Sequence, residues 1–101
     1  MRMMMRVKLP VDTFNTLVRK GTIEVMLQKV MAATRPEAAY FTAIEGHRGG
    51  FLVVEMASTS EIPRLAEPWF LTFNAEVSFE PVMTPEDLAK AQLNTIGPAW
   101  S

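Results

Sequence analysis

The sequence predicts an α+β fold with elements in the order β-α-β-β-α-β, followed by a short C-terminal helix. Three patterns predict it. Met3, Met5, Val7 and Leu9 are apolar and alternate with Arg2, Arg6 and Lys8, which share their parity with Met4, the period of a strand with one buried face. Ile23, Met26, Leu27, Val30 and Met31 recur at spacings of three and four, the stripe of an amphipathic helix. Ala75, Val77 and Phe79 alternate with Glu76, Ser78 and Glu80 in a segment that contains Pro81. Proline cannot donate to a β-ladder, so that segment belongs at a sheet edge.

The first strand runs from Arg2 to Leu9 and stops at Pro10. Asp12 is placed to cap a helix from Thr13, and Thr22 to cap a second stretch after Gly21, which either separates two helices or breaks one. The helical pattern ends before Pro36. A second strand is expected from Ala38 to Glu45 and a third from Phe51 to Met56. Between them, Gly46-His47-Arg48-Gly49-Gly50 reads as a hairpin loop longer than two residues. Ser58 and Glu61 have the spacing of a capping box, with Pro63 in the first turn of a helix that runs toward Phe73 with a kink or a restart at Pro68. A fourth strand covers about Ala75 to Met83. Thr84-Pro85-Glu86-Asp87 then opens a last helix that Gly97-Pro98 closes.

A chain of 101 residues has room for one domain. Its composition, 49% hydrophobic and 21% charged, is that of a globular protein. A net charge of −1 gives no electrostatic footprint for nucleic acid. With no cysteine, disulfides, thiolate nucleophiles and zinc-finger or iron–sulfur sites are excluded. Arg6 and Lys8 interrupt the methionine-rich start before it reaches the length of a signal sequence, and no segment approaches a membrane span. The expectation is a soluble, cytoplasmic protein.

With right-handed crossovers, this element order gives a ferredoxin-like antiparallel sheet in the spatial order 4-1-3-2, helices on one face, with the proline-bearing strand at an edge. The other face would carry Met4, Arg6, Lys8, Phe51, Val53, Glu55, Glu76, Ser78 and Glu80. That mixture of large apolar groups and both charges predicts burial against a second copy, sheet to sheet, rather than an ordinary solvent face. Arg6 would take Glu55 or Glu80 as its partner, fixing register more than adding stability.

Pro36-Glu-Ala-Ala-Tyr-Phe-Thr42, Gly46-His-Arg-Gly-Gly50, Glu67-Pro-Trp-Phe70, Phe79-Glu-Pro-Val-Met83 and Pro85-Glu-Asp-Leu88 resemble a group of small bacterial proteins of unknown function. That group lies within the dimeric α+β barrel superfamily. The resemblance implies two ferredoxin-like subunits with their sheets packed face to face. It says little about activity, because the superfamily includes isomerases, cofactor-independent monooxygenases, stress-response proteins and haem enzymes.

Candidate chemistry follows from side-chain type. Arg6, Tyr40 and Glu55 are the catalytic candidates, with Glu80 close by: a carboxylate could move a proton while Arg6 holds an enolate or other anionic oxygen. The competing reading is a structural ion-pair set at the dimer interface. Trp69, Phe70 and Phe73, with Glu80, are candidate ligand-binding residues that could wall an apolar pocket; the alternative for the aromatics is core packing. His47, the only histidine, stands alone in a glycine-rich turn, so neither a metal site nor haem is expected and no cofactor is predicted. Ser58 and Ser60 are assigned to capping, and no nucleophilic triad stands out. Eight methionines suit the filling of irregular core gaps. The functional expectation is a homodimer binding a small apolar or aromatic molecule. The alternatives are cofactor-independent isomerase or monooxygenase chemistry and a purely structural dimerisation module.

Overall fold

Four strands form one antiparallel sheet in the computed structural model, which describes residues 1–101. β1 (Arg2–Leu9) lies inside it, paired with β3 (His47–Glu55) on one side and β4 (Glu76–Pro81) on the other; β2 (Ala38–Ile44) is the far edge beyond β3. The order β2-β3-β1-β4 is the ferredoxin-like 4-1-3-2 read from the other edge. Pro81 is the last residue of edge strand β4, opposite Met3, where the missing N–H costs no interior ladder bond.

Two helices connect β1 to β2. α1 (Val11–Lys20) ends at Gly21, whose φ of 70° is the left-handed conformation that glycine adopts without a Cβ penalty. α2 (Ile23–Thr34) follows. Asp12 does not cap α1, which starts two residues earlier than expected, at Val11, with Pro10 at its N-cap; the Asp12 carboxylate lies in the first turn, favoured there by the helix dipole. Thr22 takes the N-cap position of α2 as expected, but without a side-chain cap bond: its hydroxyl donates back to the Leu17 carbonyl at 3.5 Å.

The β2–β3 connection is tighter than the glycine-rich sequence suggests. Ile44 pairs directly with His47, leaving Glu45 and Gly46 as a two-residue turn with φ of 52° and 77°. Two successive positive φ values make the type I′ geometry that matches strand twist. Gly49 and Gly50 therefore lie within β3, and their glycines serve close packing. A Cβ on Gly49 would come within 2.5 Å of the Val7 carbonyl oxygen and 2.6 Å of Ile44 Cδ1.

α3 (Ile62–Phe73) runs through Pro68 as one helix, preceded by a 3-10 turn at Thr59–Glu61. The expected capping box does not close. Glu61 accepts from the Ala57 N–H, but the Ser58 hydroxyl bonds Ser60 Oγ at 2.6 Å instead of a helix N–H.

The helices cover one face of the sheet. Met3, Met5, Val7, Leu9, Leu52 and Val54 are buried there against Val30, Leu65, Trp69 and Phe73. Beyond β4 the chain leaves this body. α4 (Pro85–Ala89) opens with a complete capping box: the Asp87 N–H donates to Thr84 Oγ1 at 3.0 Å and the Thr84 N–H to Asp87 Oδ2 at 3.1 Å. The single last helix read from the sequence is in fact two. Gln92, at φ 53°, separates α4 from α5 (Leu93–Ile96), and a 3-10 turn (Gly97–Trp100) follows. This arm makes the molecule 60 Å long but only 28 by 19 Å across, with a radius of gyration of 17.2 Å against about 13 Å for a compact chain of this size. No helix is long and apolar enough to cross a membrane.

Candidate functional site

The face of the sheet away from the helices is built in cross-strand rows, because residues paired across antiparallel strands point to the same side. One row is Tyr40, Phe51, Arg6 and Ser78, from β2 to β4. The row toward the start of β1 is Ala38, Val53, Met4 and Glu80; the row toward its end is Thr42, Gly49, Lys8 and Glu76. The centre of this face, Met4, Phe51 and Val53, is half-buried and apolar, with Arg6 and Lys8 beside it.

Arg6 takes neither expected partner. Its Nη2 donates to Glu45 Oε1 at 3.1 Å, while Lys8 Nζ reaches Glu45 Oε2 at 3.5 Å and Glu76 Oε2 at 3.8 Å. The tight turn makes this possible by folding Glu45 back over the open face. The hydrogen bond from Arg6, reinforced by the charge of Lys8, holds the Glu45 carboxyl below the usual carboxylate range. Arg6, Lys8, Glu45, Glu76, Val77 and Ser78 enclose a polar groove of about 370 Å³.

The other candidates are dispersed. Tyr40 shares Arg6's row but stands at the β2 edge, 71% exposed, with Phe51 between them. Glu55 lies opposite Arg2 at the far end of β3 and pairs with the Met1 ammonium group. Four residues along the strand from Phe51, it is about 13 Å from Arg6's row. Glu80 is diagonal to Arg6, opposite Met4, and makes no ion pair.

The aromatic corner divides by helical phase. Trp69 and Phe73, four residues apart on one side of α3, are 0% exposed with ring centroids 5.7 Å apart, and Phe14 stacks on Phe73 at 6.0 Å. The indole N–H of Trp69 donates to Thr34 Oγ1 at 3.1 Å, and that hydroxyl donates to the Val30 carbonyl at 2.8 Å. Trp69 and Phe73 line none of the molecule's cavities. Phe70 is turned to solvent.

A separate apolar cleft of about 230 Å³ lies between the helices and β2–β3, lined by Leu9, Phe14, Leu27, Phe41 and Arg48 among others. Arg48 lies over the Phe14 ring at 4.6 Å and donates to Asn15 Oδ1 at 2.8 Å. His47 Nδ1 is 2.9 Å from the Glu45 carbonyl oxygen, and no three histidine or carboxylate groups converge as a metal site requires. Sequence reasoning missed Glu45 and Lys8 as Arg6's neighbours in the groove. The signal was available: an uncharged strand followed by Glu-Gly fits a two-residue I′ turn, which returns its first residue over the sheet.

The fold is shared with 5-chloro-2-hydroxyhydroquinone dehydrochlorinase from Burkholderia phenoliruptrix AC1100, solved in complex with 2,5-dihydroxybenzoquinone. The two are 16% identical over 85% of this chain and 97% of that one, with a TM-score of 0.54. A weaker likeness, with a TM-score of 0.38 and 13% identity, links 84% of this chain to 96% of protein Atu4242 from Agrobacterium tumefaciens. No curated protein matches by sequence. Residues 1–96 match the family described as "Domain of unknown function (DUF3303)", and the chain belongs to that family.

Proposed function

We propose that the protein works as a homodimer joined through the open faces of its sheets, enclosing a small aromatic molecule that carries an anionic oxygen. The observation that carries this reading is the open face itself. Met4, Phe51 and Val53 form an apolar centre that a flat ring can lie on, and Arg6 stands beside it with a guanidinium that can be recruited from Glu45. Such a face, left in water, is an association surface. The 2,5-dihydroxybenzoquinone bound by the dehydrochlorinase is a flat six-membered ring bearing hydroxyl and carbonyl oxygens, close in shape to this class, and supports the choice of probe.

A second reading, cofactor-independent isomerase or monooxygenase chemistry at the same place, is supported by Glu80. Glu45 is a poor general base because Arg6 and Lys8 stabilise its ionised form. Glu80 shares the face with Arg6 and is free of ion pairs, so it is the carboxylate available to take a proton while Arg6 holds the resulting oxyanion.

Sedimentation analysis at micromolar concentration tests the dimer, and calorimetric titration with 2,5-dihydroxybenzoquinone tests the site. A dimer that binds the probe, with binding lost in Arg6→Ala, is expected; a monomer overturns the reading. A dimer that binds neither this probe nor any molecule retained from its host, as read by native mass spectrometry, is a structural dimerisation module. Under the enzyme reading Glu80→Gln keeps binding and loses turnover; unchanged turnover rules out Glu80 as the base.

A further inference from the structure

The groove on the open face already holds a carboxylate, and its contacts define what else can sit there. Glu45 Oε1 accepts from Arg6 Nη2 at 3.1 Å, and Oε2 accepts from Lys8 Nζ at 3.5 Å. Each oxygen of one carboxylate thus rests on a different cation. Arg6 and Lys8 are two residues apart on β1, about 7 Å along the strand, and share its open side. A lone anionic oxygen satisfies one of them. A carboxylate satisfies both.

The carboxylate in place is a loose occupant. Glu45 comes from the β2–β3 turn and not from the sheet, and its side chain is 65% exposed, against 38% for Arg6 and 18% for Lys8. The cations therefore lie lower in the face than the group that pairs them. The contact to Arg6 comes from one nitrogen, which leaves the rest of the guanidinium fork open to a second acceptor. Glu76, the other acidic neighbour of Lys8, is at 3.8 Å, beyond hydrogen-bond distance. Exposed pairs of this kind contribute little to stability, and the turn is closed by its own Ile44–His47 pairing. It keeps its shape with the Glu45 side chain swung out into solvent.

Beside the cations lies a surface for a ring. Phe51 is paired with Arg6 across one strand spacing, about 4.8 Å, and Met4 is the next residue of β1 on that side. Both are apolar and half-buried. A ring attached directly to a carboxylate held by Arg6 and Lys8 is within reach of both.

We infer that the ligand is an aromatic carboxylate, its oxygens replacing those of Glu45 on Arg6 and Lys8 and its ring lying on Phe51, with Glu45 as the site's built-in competitor. A site whose cations are occupied from within binds more weakly by the fraction of time that they are free, and removing the competitor restores the difference. This inference rests on the open-face dimer site proposed above and narrows its ligand from any anionic oxygen to a carboxylate.

Benzoate and its uncharged isostere benzamide are titrated calorimetrically into the full chain, with sedimentation run on the same samples. Benzoate is expected to bind and benzamide is not. In Glu45→Gln, which keeps the side-chain shape and removes the charge, benzoate is expected to bind about threefold tighter or more, with no gain for benzamide. Lys8→Met is expected to weaken benzoate about tenfold, through loss of one charged contact. Urea midpoints near the parent's show that both variants are folded. Benzamide binding as well as benzoate, or an unchanged benzoate affinity in Glu45→Gln, overturns the inference. So does inorganic phosphate gaining as much as benzoate, which marks a bare anion site. A dimer that takes 2,5-dihydroxybenzoquinone and not benzoate overturns the carboxylate while the open-face reading stands. A monomer overturns that reading and this inference with it.

Discussion

The two faces of this sheet are made from alternate residues of the same strands, yet they are finished differently. On the helix side, Met5, Leu52, Trp69 and Phe73 are fully enclosed, and the one polar contact among them, Trp69 to Thr34, is satisfied. On the open side the apolar residues are half-covered and the charges sit beside them, paired through a turn rather than through the sheet. The first face is finished within one chain. The second keeps half-covered apolar groups, Met4, Phe51 and Val53, that nothing else in the same chain packs, and the proposed association rests on them.

That contrast can be broken most forcefully at the enclosed face. Trp69→Ala removes the largest buried side chain, and urea unfolding is expected to show a loss of about 3–5 kcal/mol. A loss under about 1 kcal/mol would mean that the corner is loosely packed and open to a ligand after all. Thr34→Val keeps the volume but strands the indole N–H, at a cost of about 1–3 kcal/mol. The same measurement checks it.

The smallest effect belongs to the open face. Glu45→Gln removes the shared partner of Arg6 and Lys8, but the Glu45 carboxylate is itself exposed to solvent, so the change in stability is small. Its sign with pH is nevertheless defined. The folded-state pKa of Glu45 is lowered, so its contribution is fully present above the ordinary carboxylate value and disappears as pH falls through the lowered folded value. Urea midpoints of the variant and the parent are expected to differ at neutral pH and to converge in acid. A difference that persists in acid would show that the pair contributes through something other than the ionised carboxylate.

Strand period and one proline were enough to read the sheet: Met3, Met5, Val7 and Leu9 hold one parity, with Met4 the one apolar residue on the other, and Pro81 is compatible only with an edge. These are local signals, since side chains alternate across any strand. Helical phase was also present at the aromatic corner. Trp69 and Phe73 are an i, i+4 pair, whereas Phe70 is rotated by about 100° from Trp69 and so faces out. The Gly46–Gly50 cluster misled because two of its glycines answer to sterics across the sheet, which local composition does not contain. Arg6's partner was hidden for the same reason: without the tight turn, Glu45 has no way to reach β1.

By itself the sequence determined the four strands and their order among the helical stretches, the sheet edge carrying Pro81 and the division of each strand into a core face and a mixed face. Each of these depends on covalent geometry and on periods of two or 3.6 residues. Tertiary structure alone decided that Glu45 pairs with Arg6, that Trp69 finds Thr34, and that the C-terminal helices stand away from the body. Those outcomes depend on distances between residues far apart in the chain. Such distances are set only when the turns close and the helices settle on the sheet.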